Sequence, residues 1–399
     1  MGSAKESSKN SDLGFGLFVM TLTHVLTHVF GRLYTASFPI IRDEFSFSIQ
    51  QLGLIAAIPP LVQALFSIPC GILTDRFGSK RMLLVSLAMA VAGSFLAAAS
   101  RDPVTLIMAV CMVYINTTIY HPASYSFTTR LFSRRDRAKV LGIHGAGGTV
   151  GVALGPLTLS LFLGVLGLTW RHVYLFWAIP IGLSALFVLK VREIEADYIP
   201  EEDQDIEETG SGDARSLFTL GLVMFLVYTS FRTVAQQLIG TFMPIFIVDD
   251  KGFTVEQMGL IYGSTSLTGL VSAPVGGLLA SKFGAKRWLA VSIALNMMAL
   301  AFLPYAPGGL VFAALYMAYG FSGTLGMAAR STLIANLTPR SRRGMGYALL
   351  FLPGSIMGAI SPVIAAWLIE NFGMRQLFPI SIGIGVLGLA VLVFGIKDS

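Results

Sequence analysis

Charge is scarce in this sequence of 399 residues. Asp, Glu, Lys and Arg together make up 13% of the chain, whereas soluble domains average about 25%. Hydrophobic residues make up 54%, and they fall in long runs that short basic loops separate. These properties exclude a soluble enzyme and indicate a protein that crosses a membrane many times.

Cysteine is also scarce, and the motifs of metalloenzymes are missing. Cys70 and Cys111 both lie inside apolar runs, so we interpret them as packing thiols. His24 and His28 have the spacing of metal ligands on a helix, but the sequence has no HExxH motif, no cysteine pair and no carboxylate beside the two histidines. We therefore predict no catalytic residue, no metal site and no cofactor.

Twelve segments are long and apolar enough to span a bilayer as helices, which takes about 20 residues each. The predicted spans are 13–38, 51–73, 82–99, 104–129, 138–165, 172–191, 216–247, 254–280, 288–305, 308–335, 344–369 and 374–395. The sequence therefore predicts an all-α membrane protein with twelve transmembrane helices.

The distribution of Lys and Arg predicts the orientation of these spans. If both termini lie inside, 20 of the 28 basic residues fall in inner segments, five in outer loops and three within spans. An excess of basic residues marks the cytoplasmic side of membrane proteins. We expect a multi-pass protein of the plasma or cell inner membrane with both termini in the cytoplasm.

One long polar segment divides the spans six and six. It holds ten of the 22 acidic residues, and we interpret it as a solvated tether. The predicted parts of the chain are a cytoplasmic tail (1–12), a six-helix bundle (13–191), the acidic cytoplasmic linker (192–215), a second six-helix bundle (216–395) and a short cytoplasmic tail (396–399).

The two predicted bundles resemble each other in sequence. Residues 53–86 align without a gap to residues 259–292, so that "FGSKR" meets "FGAKR". The same offset pairs Pro156 with Pro362. Two homologous halves imply a pseudo-twofold axis along the membrane normal, with a binding site between the halves near the midplane.

The loop between the second and third spans carries a family resemblance. Its sequence "GILTDRFGSKR", together with twelve spans in two related halves, resembles the major facilitator superfamily, whose fold consists of two pseudo-symmetric six-helix bundles. The resemblance implies a gating role for this loop, in which Asp75 latches the halves on the cytoplasmic side. The residues that carry the motif are Gly71, Asp75, Arg76, Gly78, Lys80 and Arg81.

The fifth span resembles a glycine signature of exporters in that family. The signature residues are Gly142, Gly151, Gly155 and Pro156. Residues 119–157, with a His-Pro pair, a basic loop and this glycine-rich span, resemble fosmidomycin-resistance-type exporters. Those relatives often have Glu after His-Pro, where this chain has Ala123. The resemblance implies export, and close helix packing is the competing interpretation of the glycines.

Three arginines lie within spans, whereas every acidic residue falls in a tail, a loop or a span end. A charge inside a bilayer is costly and usually marks a pathway. Because no carboxylate is available at this depth, we expect the arginines to bind an anionic substrate through their forked donors. Snorkelling of Arg32 and Arg330 toward an interface is the alternative. The predicted substrate-binding residues are Arg32, Arg232, Arg330, His121, Tyr34 and Gln236.

Histidines are the groups within the spans that titrate near neutral pH. If transport is coupled to protons, we expect His24, His28 or His121 to carry the proton. Neutral histidines bonded to neighbouring hydroxyls, such as that of Thr21, are the alternative. His144 lies nearer the cytoplasm, and we interpret it as structural.

These patterns predict a secondary active transporter and not an enzyme. We expect it to move a small organic anion, a carboxylate or phosph(on)ate, by alternating access as a proton-coupled exporter. Uptake symport or exchange of organic anions, broad drug export and lipid flipping are the alternatives. The expected partners are a small-molecule substrate, protons and the lipid bilayer, without nucleic acid, and a monomer suffices.

Overall fold

The computed structural model describes residues 2–132, 134–191, 219–338 and 343–396. Helices dominate this part of the chain, because in lipid each backbone N–H and C=O must be bonded within its own segment. The α-helices are α1 Gly2–His28, α2 Phe30–Ala36, α3 Phe38–Phe45, α4 Ile49–Phe77, α5 Ser79–Ala99, α6 Pro103–Leu131, α7 Arg134–Gly164, α8 Trp170–Lys190, α9 Leu220–Ile245, α10 Val255–Leu267, α11 Gly269–Phe283, α12 Ala285–Phe302, α13 Leu310–Leu325, α14 Met327–Leu337, α15 Arg343–Phe372 and α16 Leu377–Gly395.

Shorter helical turns extend three of these helices. A π-helical turn follows α9 at Phe246–Asp250, and 3-10 turns lie at Leu303–Tyr305 and Met374–Gln376. The acidic linker predicted for residues 192–215 lies outside the described residues. The first twelve residues, predicted as a tail, continue α1 toward the N-terminus from Gly2.

Each predicted span coincides with a helix or a pair of consecutive helices. Ten of them in the described residues are long and apolar enough to cross a membrane. The span predicted at 254–280 is divided at Thr268 into α10 and α11, of 13 and 15 residues. The span at 344–369 corresponds to α15, in which the apolar stretch Ile356–Phe372 is described. The all-α architecture with twelve spans is thereby confirmed.

The chain divides into two compact units. The first comprises Met1–Tyr34 and Val62–Glu207, and the second comprises Thr35–Leu61 and Glu208–Ser399. In the first unit α5 packs against α6 and α8, and α1 packs against α7. In the second unit α9 packs against α15 and α16, and α12 packs against α13. Thr35–Leu61, which the sequence analysis placed in the first bundle, packs within the second unit.

A glycine with positive φ makes the turn of the predicted loop motif in both halves. Gly78 (φ 86°) separates α4 from α5, and Gly284 (φ 87°) separates α11 from α12. Residues with a Cβ rarely adopt this conformation. Because the two glycines align in the sequence repeat, the repeat extends to the backbone conformation of the turn.

Lys80 of the same motif closes the end of another helix in the first unit. Its Nζ donates to the carbonyl oxygens of Leu189 (3.0 Å) and Val191 (2.8 Å) at the C-terminus of α8. A cation at this position also complements the helix dipole. Asp75 is exposed and forms no ion pair with a described residue, so the latch predicted for it stays a prediction.

The glycines of α7 allow α1 to approach unusually closely. A Cβ on Gly151 or Gly155 would overlap the carbonyl oxygens of Val25 and Val29, respectively. Small residues at such positions let membrane helices pack backbone against backbone. A Cβ on Gly142, the first glycine of the predicted signature, would meet no described atom within 4 Å. The close packing of α7 on α1 therefore depends on Gly151 and Gly155.

We expect Gly155→Ala to destabilise the protein, because the new methyl group must displace the backbone at Val29. Overpacking of this kind costs about 1–3 kcal/mol. Gly142→Ala is the matched control, since a helical alanine in open space gains about 0.5–1 kcal/mol over glycine. Thermal unfolding of the detergent-purified variants measures both effects. A Gly155→Ala protein as stable as the Gly142→Ala protein would contradict this account of the packing.

Candidate functional site

A cavity in the second unit collects two of the three arginines predicted to bind substrate. Its walls are formed by helices α9, α12, α13, α14 and α16. The space between them is about 640 Å³, a volume that includes the solvent at the open mouth of the cavity. We call it the arginine cavity. Its polar lining residues are Tyr228, Arg232, Gln236, Ser292, Asn296, Tyr319, Ser322, Arg330 and Ser381.

The two guanidinium groups of the cavity have no anionic partner in the described part of the chain. Arg232 on α9 and Arg330 on α14 lie close enough for their charges to act on each other. Neither forms an ion pair with a described carboxylate. The Nε of Arg330 and the hydroxyl of Tyr228 are buried without a hydrogen-bond partner among the described residues. Unpaired donors of this kind favour an anion with several acceptor atoms.

Two other arginines of the second unit, Arg42 on α3 and Arg375 in the 3-10 turn before α16, differ from these cavity arginines. Arg42 pairs with Asp249 through both ends of its guanidinium group, and hydrogen bonding to that carboxylate raises the pKa of Arg42. Arg375 pairs with Asp250 in the same bidentate manner, at 2.9 and 3.1 Å. Carboxylates therefore satisfy Arg42 and Arg375, whereas the cavity arginines have no carboxylate partner among the described residues.

Hydrogen bonds between neighbouring helices hold the walls of the arginine cavity. Asn296 Nδ2 donates to the carbonyl of Tyr319 at 2.8 Å and so ties α12 to α13. Ser381 Oγ donates to the carbonyl of Ala235 at 2.6 Å and ties α16 to α9. These contacts orient the polar lining without using the guanidinium groups.

Sequence reasoning found three of the cavity residues and missed others. The structure brings Arg232, Arg330 and Gln236 together as lining residues. Asn296 and Ser381 were not predicted, although each is a polar residue inside an apolar span. That signal was too weak, because an isolated amide or hydroxyl in a membrane helix commonly bonds to a neighbouring backbone.

Four histidines form a second polar cluster, which lies in the first unit. His24 and His28 come from the end of α1, His121 comes from α6 and His144 comes from α7. The ring centroids of His24 are 4.6 Å from His28, 5.6 Å from His121 and 4.0 Å from His144. The structure thus brings together the three predicted proton carriers, and proton coupling through them stays a prediction.

Backbone and hydroxyl contacts fix the orientation of this cluster. His24 Nδ1 donates to the carbonyl of His144 at 2.6 Å. The Tyr120 ring stacks on His24, and the Tyr120 hydroxyl donates to the carbonyl of Met20 at 3.1 Å. The position of His144 near the end of its span predicts a structural role for this residue. Close packing of α7 on α1 brings its ring onto His24.

Of the remaining predicted binding residues, Arg32 and Tyr34 lie on α2 and His121 lies on α6, all in the first unit. Arg32 is half-buried, and Tyr34 is buried with 2% of its surface exposed. His121 belongs to the histidine cluster. Substrate contact by these three residues stays a prediction.

Comparisons with known proteins identify relatives of this chain. The family model of the Major Facilitator Superfamily matches residues 20–235 and 220–399. The chain is 21% identical over 310 residues to the fosmidomycin resistance protein of Escherichia coli, a match that covers 76% of this chain and 74% of that protein. It is 22% identical over 385 residues to the probable nitrate transporter NarT of Staphylococcus epidermidis, a match that covers 94% of this chain and 95% of that protein.

A solved structure shows the same fold. A bacterial homologue of the human lysosomal transporter Spinster, in an inward-facing and occupied conformation, superposes with a TM-score of 0.79. The two chains are 18% identical, and the match covers 95% of this chain and 96% of the other.

We expect Arg330→Met to raise the unfolding temperature of the ligand-free protein. The substitution keeps much of the side-chain volume while it removes a buried donor and the repulsion from Arg232. Replacing buried ionic groups by apolar ones of similar size is often neutral or stabilising by about 1–4 kcal/mol.

Arg287→Met is the matched control, because Arg287 is exposed and we expect little change there. Differential scanning fluorimetry without added anions compares the two variants with the original protein. A clear drop in the unfolding temperature of Arg330→Met alone would show that Arg330 stabilises the empty fold.

Proposed function

Because this chain belongs to the Major Facilitator Superfamily of membrane transporters, we propose that it transports a small organic anion bound in the arginine cavity. The substrate class is a carboxylate or a phosph(on)ate. The observation that carries the proposal is the presence of two guanidinium groups in one cavity without an ion pair to a described carboxylate.

Several groups of the cavity suit such an anion. A carboxylate or phosphonate accepts two parallel hydrogen bonds from one guanidinium group. Arg232 and Arg330 supply two such groups, and the Tyr228 hydroxyl supplies a further donor. The apolar lining, which includes Leu289 and Met297, suits the carbon skeleton of an organic ion. A relative named as a probable nitrate transporter supports an anionic substrate.

The cavity has a different electrostatic energy when it is empty and when it holds an anion. Such a difference allows substrate binding to drive the conformational change of a transport cycle. Without a ligand the two arginines repel each other in a medium of low dielectric constant. A bound anion attracts both guanidinium groups, and this attraction offsets the repulsion between them. A ligand can drive a conformational change only through such a difference between states. We propose alternating access, in which the site opens to one side of the membrane at a time.

Export is the direction that we propose. It rests on the resemblance of the Gly142, Gly151, Gly155 and Pro156 signature to that of exporters. The close approach of Gly151 and Gly155 to α1 is compatible with both export and import. The direction of transport must therefore be measured.

Ligand-induced thermal stabilisation tests the substrate class. We expect succinate and phosphonoacetate to raise the unfolding temperature of the purified protein, since a ligand at 100 times its Kd stabilises by about 2.7 kcal/mol. Size-matched cationic and neutral compounds should have no effect. In Arg232→Gln and Arg330→Gln the affinity for the anion should fall about 30-fold or more, because the bound anion loses a charged partner.

Arg287→Gln, at an exposed arginine of the same unit, should respond like the original protein. If cations or neutral lipophiles stabilise equally and the two cavity variants respond normally, the arginines are structural and broad drug export or lipid transport is the better account. Flux of a labelled stabilising anion in proteoliposomes, with and without an imposed pH gradient, then measures direction and coupling.

A further inference from the structure

The histidine cluster of the first unit has the composition and geometry of a metal site. We propose that His24, His28 and His121 bind one divalent transition-metal ion of the Zn²⁺ type. This inference goes beyond the proposed anion transport and does not rest on it, because the two sites lie in different units and use different residues.

The distances between the three imidazoles fit a shared ion. One ring nitrogen from each lies within 4.8 Å of those of the other two. Zn–N bonds of about 2.0–2.1 Å in a tetrahedron place neighbouring nitrogens about 3.4 Å apart. Small rotations of the rings therefore close the site. His24 and His28 are one helical turn apart on α1, and His121 comes from α6.

The hydrogen bonding of His24 leaves the required lone pair in place. A carbonyl oxygen only accepts, so the contact to His144 places a proton on Nδ1 of His24. In the neutral imidazole the lone pair is then on Nε2, and this atom is buried without a hydrogen-bond partner among the described residues. Metal-binding histidines commonly donate their other N–H to a backbone carbonyl in this way.

A second unsatisfied nitrogen belongs to the same cluster. The Nδ1 of His121 is also buried and has no hydrogen-bond partner in the described part of the chain. Buried polar atoms without partners cost about 1–3 kcal/mol each. A metal ion among the three rings offsets this cost, whereas ordinary core histidines are held by hydrogen bonds to their neighbours.

The ligand set indicates which ions to expect. Imidazole nitrogens suit Zn²⁺, Co²⁺, Ni²⁺ and Cu²⁺, whereas Mg²⁺ and Ca²⁺ prefer oxygen ligands. Three neutral histidines leave the charge of the ion uncompensated and a fourth coordination position open. The site is therefore suited to hold water or an additional anionic ligand on the metal.

The sequence predicts no metal site, because it has no HExxH motif, no cysteine pair and no carboxylate beside His24 and His28. The third ligand, His121, lies almost a hundred residues further along, and only the packing of α6 on α1 brings it to the other two. The sequence spacing alone therefore could not show that a third histidine lies beside His24 and His28.

Metal titration of the purified, tag-free full-length protein tests the proposal. After treatment with a chelator and dialysis, we expect Zn²⁺ to bind saturably with one ion per chain in isothermal titration calorimetry. Co²⁺ should give the visible absorption of a low-symmetry nitrogen site, and Mg²⁺ should not bind. His24→Gln, His28→Gln and His121→Gln should each weaken Zn²⁺ binding by at least about tenfold.

His172→Gln is the matched control, because His172 is an exposed histidine that caps α8 beside Thr169. We expect it to bind Zn²⁺ like the original protein. If His24→Gln does not fold, the other two ligand variants carry the same test. No saturable binding at micromolar Zn²⁺, or unchanged affinity in folded His28→Gln and His121→Gln, would overturn the proposal.

The test separates this inference from the proposed transport of anions. Arg232→Gln, which should lose the anion response, should retain Zn²⁺ binding. Loss of Zn²⁺ binding in Arg232→Gln would contradict a separate site in the first unit.

Discussion

The cost of holding a charge in a medium of low dielectric constant is the constraint on which this structure depends. Arg42 and Arg375 of the second unit each pair with a carboxylate, Asp249 and Asp250, respectively. Arg232 and Arg330 have no such carboxylate among the described residues. The transport of an anion proposed for this protein rests on that difference between the cavity arginines and the paired arginines of the same unit.

The first unit meets the same constraint with histidines, which can remain neutral. The close packing of the glycine-rich helix α7 on α1 brings His144 onto His24, since Gly151 and Gly155 leave room for the α1 backbone. His121 reaches the two α1 histidines through the packing of α6 on α1. The glycines that resemble an exporter signature thus have a second consequence in this chain. They allow the ring of His144 to stack on that of His24.

The architecture was largely predictable from the sequence, because membrane crossing imposes length and hydropathy on every span. The turn glycines Gly78 and Gly284 were also recognisable, since the sequence repeat aligns them and positive φ selects glycine. The candidate site was predictable only in part. Arg232, Arg330 and Gln236 stood out as polar groups in apolar spans, whereas Asn296 and Ser381 are weak signals on helices with no charged residue at the cavity.

The sequence by itself determined the number of spans, the family and the absence of carboxylates from the interior of the spans, because these are local properties of composition and order. Only the tertiary structure decided which polar groups share a site. It placed Arg232 with Arg330, and His121 with His24 and His28, through the packing of helices distant in sequence. Helical periodicity shows which face of a span is polar, but the identity of the partner face depends on how the helices pack.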